Sequence, residues 1–345
     1  MNRSDSFYVV SMSRNADGGI YRYALNQEGL SPEPLEFTPV QDANYLCFSP
    51  DGKYLYSTCR FGEGGGVAAF RIEEDDSLSF LNSADAHGLS SCHVTCDTSG
   101  KFLYCANYRS GNFAEFALGE DGSIERMTQL IHHDDPVGPN RNRQDGPHTH
   151  CTELTPDGKY LCVVDLGIDA VKVYPLDPEK GVINEPFTCR TAPGDGPRHI
   201  LFDRSGSIAY LINELGNSVT SLSYRDGTLK QIRTVTTLPR NCTVATKAAA
   251  IRFSPDGRFL FASNRGYDSI ACYRIKGEGD FELYDIVPSF GSSPRDINFL
   301  PGGSLFAAAN EFSDSVTFFD YDPDSGRLRF RLKEIRLTRP LNIEP

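Results

Sequence analysis

Six short turn segments recur along the chain at nearly even spacing, and this repeat limits the possible folds more than any other feature of the sequence. Each segment ends in glycine, and successive glycines are 48, 58, 48, 51 and 46 residues apart. The segments are FSPDG (48–52), CDTSG (96–100), LTPDG (154–158), FDRSG (202–206), FSPDG (253–257) and FLPGG (299–303). A period of this size is typical of a propeller or a solenoid.

One period contains four short runs rich in β-branched and aromatic residues, which are HVTCD, FLYCANY, FAEFAL and IERMTQL. The linkers TSGK, RSGN and GEDGS supply the Gly, Asp and Asn that tight turns need. Four such strands form an antiparallel meander, the unit of a propeller blade. No convincing long amphipathic helix interrupts the pattern. We therefore predict an all-β fold built from four-stranded antiparallel blades.

The number of blades follows from the repeat and the N-terminus. Six repeats are complete, and residues 7–37 resemble strands two to four of a seventh blade. The C-terminal tail RPLNIEP can supply that blade's missing first strand, which would close the ring by joining both chain ends in one sheet and remove an exposed edge. The sequence thus predicts a seven-bladed β-propeller that forms a single domain over residues 1–345.

Charge and composition exclude several classes of partner. The net charge of −12 opposes nonspecific binding to nucleic acid or to an anionic membrane. The N-terminal segment MNRSDSFYVVSMSRN has no long apolar run or small-residue cleavage site, so we predict a cytoplasmic location. The chain contains no tryptophan, which argues against a WD40 propeller, and no feature identifies a protein partner.

The ten cysteines are predicted to be reduced thiols that pack as small apolar groups. Cys92 and Cys96 have no second cysteine pair with which to form a zinc site. His148 and His150 are alternate residues of one strand, so both could be ligands of one metal ion, but the sequence offers no clear third ligand. We therefore expect no metal ion and no cofactor.

Counting from the recurring turns aligns two columns of polar residues on one face of the propeller. The first strand of each blade starts at this face and the second strand returns to it. The first column is Asn44, Cys92, His150, Arg198, Ala249 and Arg295, with His93, His148, His199 and Lys247 beside it. The second column is Cys59-Arg60, Asn107-Tyr108, Asp165-Leu166, Asn213-Glu214, Asn264-Arg265 and Asn310-Glu311. Arginines, histidines and carboxylates meeting at a narrow mouth indicate a site for a small anionic molecule.

These residues also have structural interpretations. The asparagines, including Asn213 and Asn264, recur at one register and suit tight turns, so they can serve the architecture alone. Glu214, Arg265, Arg198 and His150 do not recur, although a structural salt bridge between Arg198 and Glu214 is an alternative to function. The long insertion HHDDPVGPNRNRQDGP is expected to lie on the same face, with His132 and His133 solvated and Arg143 able to reach a substrate.

The chain resembles the seven-bladed propeller lactonase family, whose members include propeller-type 6-phosphogluconolactonases and the carboxy-cis,cis-muconate lactonizing enzyme. The resemblance covers essentially the whole chain and is most specific at GPNRNRQDGPHTH (138–150), GDGPRHILF (194–202), LINELGNSV (211–219), FSPDGRFLFASNRGYDSIACYRI (253–275) and SSPRDINF (292–299). It implies that His150, with His148 in reserve, Arg198, Glu214 and Arg265 are the catalytic residues. The first complete repeat departs from the pattern, since CRFGEGGG replaces an Asn-Glu pair.

The expected activity is hydrolysis of a sugar-acid lactone, most plausibly 6-phosphogluconolactone. Glu214 or His150 would activate water, while Arg198 and Arg265 would bind the oxyanion and the anionic group. His148, His199, Arg143, Arg295, Asn213 and Asn264 are the predicted substrate-binding residues. Two alternatives stay open, namely a lactonizing or isomerising enzyme of the muconate type and a propeller that binds a ligand or a protein without turnover.

Overall fold

The described part of the chain, residues 6–13, 15–26 and 29–345 of this computed structural model, consists of β-strands joined by turns and loops. The strands form seven sheets, which confirms the predicted all-β fold of seven blades. Within these ranges, no helix is long and apolar enough to pass through a lipid bilayer.

Sheet 1 joins the two ends of the chain. Its strands in spatial order are Pro340–Glu344, Ser6–Ser11, Gly19–Asn26 and Gly29–Pro39. The C-terminal strand runs antiparallel to the N-terminal one, with Ile343 opposite Val9 and Asn342 opposite Val10. The predicted closure is confirmed, because the tail occupies the strand position that the N-terminal repeat lacks.

The other sheets follow in chain order, and their strand positions are called A to D. Sheet 2 contains Leu46–Phe48, Tyr54–Phe61, Gly64–Ile72 and Leu78–Gly88, and sheet 3 contains Ser91–Cys96, Phe102–Asn107, Asn112–Leu118 and Ile124–His132. Sheet 5 contains Pro197–Phe202, Ile208–Asn213, Ser218–Arg225 and Thr228–Thr236. Sheet 6 contains Lys247–Phe253, Phe259–Arg265, Ser269–Gly277 and Asp280–Pro288, and sheet 7 contains Pro294–Phe299, Leu305–Asn310, Ser315–Asp322 and Arg327–Arg336.

Sheet 4 differs because its position D is divided. Strands A to C are Thr149–Leu154, Tyr160–Asp165 and Ala170–Asp177, and both Gly181–Val182 and Phe187–Arg190 pair with strand C. The buried carboxylate of Glu115 accepts a hydrogen bond of 2.6 Å from the backbone N–H of Val182. Gly181 has a φ of +79°, and a Cβ atom there would lie 2.3 Å from Glu115 Oε1. Only glycine fits this close approach.

The chain divides into two compact units. The first comprises residues 1–41, 208–222 and 231–345, and the second comprises residues 42–207 and 223–230. The single domain over residues 1–345 stays a prediction.

Each unit has apolar layers between neighbouring sheets. In the first unit, Phe7 and Val9 of sheet 1 pack with Phe318 of sheet 7, and a further cluster joins sheets 6 and 7. In the second unit, buried residues join sheet 2 to sheet 3 and sheet 3 to sheet 4. Alternate residues of each strand thus enter apolar layers, as the pleat of a strand requires.

Three of the six recurring turns have the sequence Ser/Thr-Pro-Asp-Gly and the same side-chain hydrogen bonds. Ser49 Oγ donates to Asp51 Oδ1 at 2.7 Å and accepts the backbone N–H of Tyr54 at 3.0 Å. Thr155 and Ser254 make the same two bonds in their own turns. The turn glycines all have positive φ, from 67° to 74°. The side chains thus satisfy backbone donors that the tight turn leaves over.

The cysteine prediction is confirmed, since all ten are free and eight of them are buried. Burial raises the pKa of the Cys59 thiol to about 12, and a thiol of this kind is chemically inert at neutral pH.

Candidate active site

β-Bulges mark the beginning of strand A in several sheets. His150 is the extra residue between Thr149 and Cys151, which pair with Asp165 and Val164. Cys92 and Arg295 occupy the same place in sheets 3 and 7, and sheet 6 has its register shift between Ala248 and Ile251. A bulge bends the strand and redirects the side chain of its extra residue. The extra residues of these bulges are therefore members of the first predicted column. Counting residues from the turns could not reveal the bulges themselves.

The predicted meeting of strand A and strand B is confirmed within four sheets. Ser91 lies opposite Asn107, Thr149 opposite Asp165, Lys247 opposite Arg265, and Pro294 opposite Asn310. Sheet 2 departs from the expectation, since its strand A begins only at Leu46 and leaves Asn44 outside the strand. The departure lies in the same repeat that lacks the Asn-Glu pair.

In the second unit, three buried histidine rings form a chain. The ring centroids of His93 and His199 lie 5.3 Å apart, and those of His150 and His199 also lie 5.3 Å apart. Tyr45 covers His93 at 4.0 Å. We call His93, His150, His199 and Tyr45 the imidazole cluster. It brings the predicted residues His150 and His199 together with a third histidine from strand A of sheet 3.

Arg198 joins this cluster through its neighbour in the sequence. Its Nη1 lies 3.2 Å from Nε2 and 3.4 Å from Nδ1 of His199. Arg198 is only 3% exposed. The guanidinium of Arg198 is thus held against the ring of a predicted substrate-binding residue.

His148 lies apart from the cluster, although its sequence position suggested that it shares a side with His150. It precedes strand A, and its ring stacks on Tyr108 with centroids 4.5 Å apart. Its Nδ1 lies 2.9 Å from the carbonyl oxygen of Tyr108, and its Nε2 lies 2.9 Å from Asp145 Oδ1. The bulge after Thr149 breaks the simple alternation on which the expectation depended.

Arg143 lies in the insertion before His148, as expected. Its Nη2 donates to the hydroxyl oxygen of Tyr108 at 3.1 Å. The expectation that His133 is solvated is wrong, because this ring is 5% exposed and its Nδ1 lies 2.7 Å from Asp165 Oδ2. His132 is exposed, as predicted. His133 is buried because its partner Asp165 lies at the buried end of strand B.

In the first unit, Glu214 and Arg265 form an ion pair. Arg265 Nη2 lies 2.7 Å from Glu214 Oε2 and also donates to the carbonyl oxygen of Ala248 at 3.1 Å. Glu214 is 2% exposed. The Nε of Arg265 is buried and has no hydrogen-bond partner among the residues that the structure describes. A buried cation with an unused donor is suited to binding an anion.

Arg295 takes part in a second group of charges in this unit. Glu311 Oε2 lies 3.8 Å from Arg295 Nη1, and Glu311 Oε1 lies 2.7 Å from Arg339 Nη2. Two guanidinium groups thus share one buried carboxylate, which leaves this group with net positive charge. Arg295 stays a predicted substrate-binding residue.

The asparagines at the ends of strands B hold the beginnings of strands C. The Asn264 amide donates to Ser269 Oγ and to the carbonyl oxygen of Thr237. Asn213 donates to Ser218 Oγ and Thr220 Oγ1. These contacts favour the architectural interpretation of both residues, and their contact with substrate stays a prediction.

A family model for "Lactonase, 7-bladed beta-propeller" matches residues 6–345. The chain belongs to this lactonase family. A 6-phosphogluconolactonase of Bacillus subtilis is 34% identical over 342 residues, which cover 98% of this chain and 97% of the relative.

Solved structures agree with this lactonase assignment. The periplasmic gluconolactonase of Pseudomonas aeruginosa superposes with a TM-score of 0.92 at 28% identity, covering 99% of this chain and 98% of the other. A Bacteroides fragilis protein, provisionally described as a 6-phosphogluconolactonase, has a TM-score of 0.91 at 32% identity, with the same coverage of both chains.

One group of residues in this lactonase has the composition of a metal site. Ligand atoms of His93, Cys151 and Glu153 lie within 4.8 Å of one another. The His93 ring also contacts the protein through both nitrogens: its Nε2 lies 3.6 Å from the Cys151 sulfur, and its Nδ1 lies 3.4 Å from the backbone nitrogen of Thr152. Burial raises the pKa of the Cys151 thiol.

A cavity of about 410 Å³ lies against the insertion of this lactonase. Its walls include Pro136–Pro139, Arg141, Ile168, Asp169, Arg190, Thr191 and Pro193. None of the predicted site residues contributes to this lining, so the cavity is distinct from the residues that the sequence singled out.

The sequence did not single out Tyr108 or the pair of His133 and Asp165. Tyr108 stands in the second predicted column, directly after Asn107, so its position was available from the alignment. His133 carried no such signal, because its partner is more than 30 residues away in the chain.

Proposed function

We propose that the protein is a lactonase that hydrolyses a sugar-acid lactone, with 6-phosphoglucono-δ-lactone as the preferred substrate. Membership of the lactonase family along the whole chain carries the proposal. The name of the B. subtilis relative supports the phosphorylated substrate. The P. aeruginosa gluconolactonase makes the unphosphorylated lactone the main competing substrate.

Hydrolysis needs a base for water, a donor for the tetrahedral oxyanion and a cation for the substrate's anionic group. In the proposed mechanism, His150 or Glu214 takes the proton from water. Arg198 and Arg265 stabilise the oxyanion and bind the phosphate or carboxylate, for which the planar guanidinium is well suited.

The contacts of the two candidate bases favour His150. Glu214 lies 2.7 Å from a guanidinium nitrogen of Arg265, so this carboxylate is already engaged in an ion pair. His150 lies among rings, and an imidazole titrates close to neutral pH. Glu214 then serves to hold Arg265 in position.

The test follows hydrolysis of freshly prepared 6-phosphoglucono-δ-lactone, coupled to 6-phosphogluconate dehydrogenase and corrected for spontaneous opening. Wild type is compared with Arg265→Ala and with the control Arg225→Ala, whose side chain is 93% exposed. We expect a rate well above background that collapses only in Arg265→Ala. Glucono-δ-lactone and a muconate are assayed in parallel, and turnover of either one without the phosphorylated lactone would refute the proposed substrate.

A further inference from the structure

Tyr108 lies where the long insertion meets the end of a strand. It directly follows strand B of sheet 3, and its backbone N–H donates to the carbonyl oxygen of Ser90 at 3.0 Å. This anchors the residue to the sheet, so its side chain projects from a fixed backbone. The insertion, by contrast, contains no strand between His132 and Thr149.

Three predicted site residues contact this one side chain. The phenol oxygen accepts from Arg143 Nη2 at 3.1 Å, and the ring stacks on His148 at 4.5 Å with an interplanar angle of 8°. The edge of the ring also meets His150, with centroids 5.5 Å apart and an angle of 78°. Tyr108 thus links the guanidinium in the insertion to the favoured base.

The contacts of His148 tie its ring to both Tyr108 and the insertion. Its Nδ1 lies 2.9 Å from the carbonyl oxygen of Tyr108, and its Nε2 lies 2.9 Å from an oxygen of the Asp145 carboxylate. The hydrogen bond from His148 lowers the pKa of Asp145. Since both ring nitrogens of His148 have partners in the protein, the ring has a structural role in this region.

The stack adds to this arrangement. The two rings are nearly parallel, and stacked aromatic rings attract each other beyond the effect of the area that they bury. Charged groups near His148 include Asp145 and Asp165, whose Oδ1 accepts the His148 backbone N–H at 2.7 Å. Asp145 is 73% exposed, so its attraction is weakened by water, and the ring and the carbonyl oxygen of Tyr108 supply the less solvated contacts.

We propose that Tyr108 is a positioning residue of the lactonase site: it fixes the guanidinium of Arg143 through its hydroxyl and holds the ring of His148 by stacking, so that the insertion presents Arg143 beside His150. The inference rests on the proposed lactonase function. His148 then holds the insertion against Tyr108, and Arg143 and His150 are the groups that contact the substrate.

The first test compares Tyr108→Phe with wild type. Phenylalanine keeps the ring and the carbonyl oxygen but removes the acceptor of Arg143. A hydrogen bond to a charged group is commonly worth about tenfold or more in an equilibrium constant. We expect KM for 6-phosphoglucono-δ-lactone to rise about tenfold with kcat nearly unchanged. The control is Tyr54→Phe, which removes a hydroxyl bonded to the Glu120 carbonyl oxygen and should change neither constant.

A double-variant cycle ties the effect to Arg143. Once Arg143→Met has removed the donor, adding Tyr108→Phe should raise KM no further, because neighbouring groups in one interaction are not additive. Additive increases in KM would overturn the link between the two residues, and so would an unchanged KM in Tyr108→Phe.

The second test needs no substrate. Proton and nitrogen-15 NMR of the seven imidazole rings, with His148 assigned by its absence in His148→Gln, reports the stacking through the ring-current shift of the His148 signal. We expect this signal to stay in place in Tyr108→Phe, which keeps the stacked ring, and to move in Tyr108→Leu, which removes it. An unchanged His148 signal in Tyr108→Leu would refute the stacking role of Tyr108. Absence of lactonase activity in a wild type that shows the expected shifts would refute the proposed function alone.

Discussion

The polar ends of the sheets differ between the two units. In the second unit, the predicted site residues lie among rings, and the centroids of the imidazole cluster are 4.0 to 5.8 Å from their neighbours. In the first unit, the corresponding positions hold ion pairs, with Arg265 on Glu214 and two arginines on Glu311. Imidazole rings transfer protons near neutral pH, whereas paired ions fix charge. The two units therefore offer different chemistry at these strand ends, with rings in the second unit and paired ions in the first.

The largest expected effect comes from removing a cation of the first unit. In Arg265→Ala, kcat/KM should fall about 100- to 1000-fold, because the oxyanion or the anionic group loses a preorganised donor. The same change leaves buried Glu214 without its cation, and breaking a buried pair commonly costs about 3–5 kcal/mol. Activity and urea unfolding would be measured on the same preparation.

A paired replacement separates the two effects of Arg265→Ala. The double variant Arg265→Gln with Glu214→Gln keeps two groups that can hydrogen-bond and removes both charges. It should regain most of the lost stability while staying inactive. Recovery of activity in this double variant would show that the charge of Arg265 is needed for folding only.

The next effect concerns the rings of the second unit. His150→Asn should lower kcat about 100-fold and abolish the acid limb of the pH profile of kcat/KM, as expected when a general base with a pKa near neutrality is lost. Glu214→Gln should keep that limb and act mainly on KM. Persistence of the limb in His150→Asn together with its loss in Glu214→Gln would assign the base to the first unit.

A smaller effect is expected for the asparagines that end strand B in sheets of both units. Asn264→Ala should reduce the free energy of unfolding by about 1–3 kcal/mol, since the carbonyl oxygen of Thr237 and the Ser269 hydroxyl lose their donor. Steady-state kinetics should change by less than about threefold. A rise in KM larger than this, with stability intact, would make Asn264 a substrate ligand as first predicted.

The sequence alone was sufficient for the fold because the repeat is periodic and its turn chemistry is local. The bonds of Ser49 with Asp51 and Tyr54 lie within six residues, and turn glycines set the register of strands A and B. Closure by Pro340–Glu344 was predictable because one blade lacked a strand. The division of position D in sheet 4 was not, since it depends on Glu115, which is more than 60 residues away from Val182.

The site could be predicted only as a set of positions. Register placed His150, Arg198, Glu214 and Arg265 at sheet ends, but the bulge at His150 alters the side-chain alternation that had grouped His148 with it. The partner of a charged side chain depends on packing between distant segments. The burial of His133 against Asp165 and the stacking of His148 on Tyr108 are examples that no spacing rule could supply.

The smallest predicted effect concerns Glu344, which lies in the closing strand of the first unit. Its Oε1 accepts from Asn342 Nδ2 at 3.1 Å, and the same amide donates to Asp296, which pairs with Arg252 at 3.2 Å. Burial raises the pKa of Glu344 to about 7, against the attraction of the Arg252 guanidinium and with a smaller contribution from the Asp296 charge.

Because the folded protein retains the Glu344 proton more tightly than the unfolded chain, stability should fall as pH rises from about 4.5 to about 7 and then stay level. Glu344→Gln removes this loss. It should unfold at a higher urea concentration than wild type at pH 8 and should match wild type at pH 4. The full shift corresponds to about 3 kcal/mol, and the partial exposure of Glu344 to water reduces the expected gain to about 1 kcal/mol. The control Glu282→Gln changes a half-exposed carboxylate paired with Lys276 and should show no such gain. An equal difference at both pH values would mean that packing of the amide, and not the proton, is responsible.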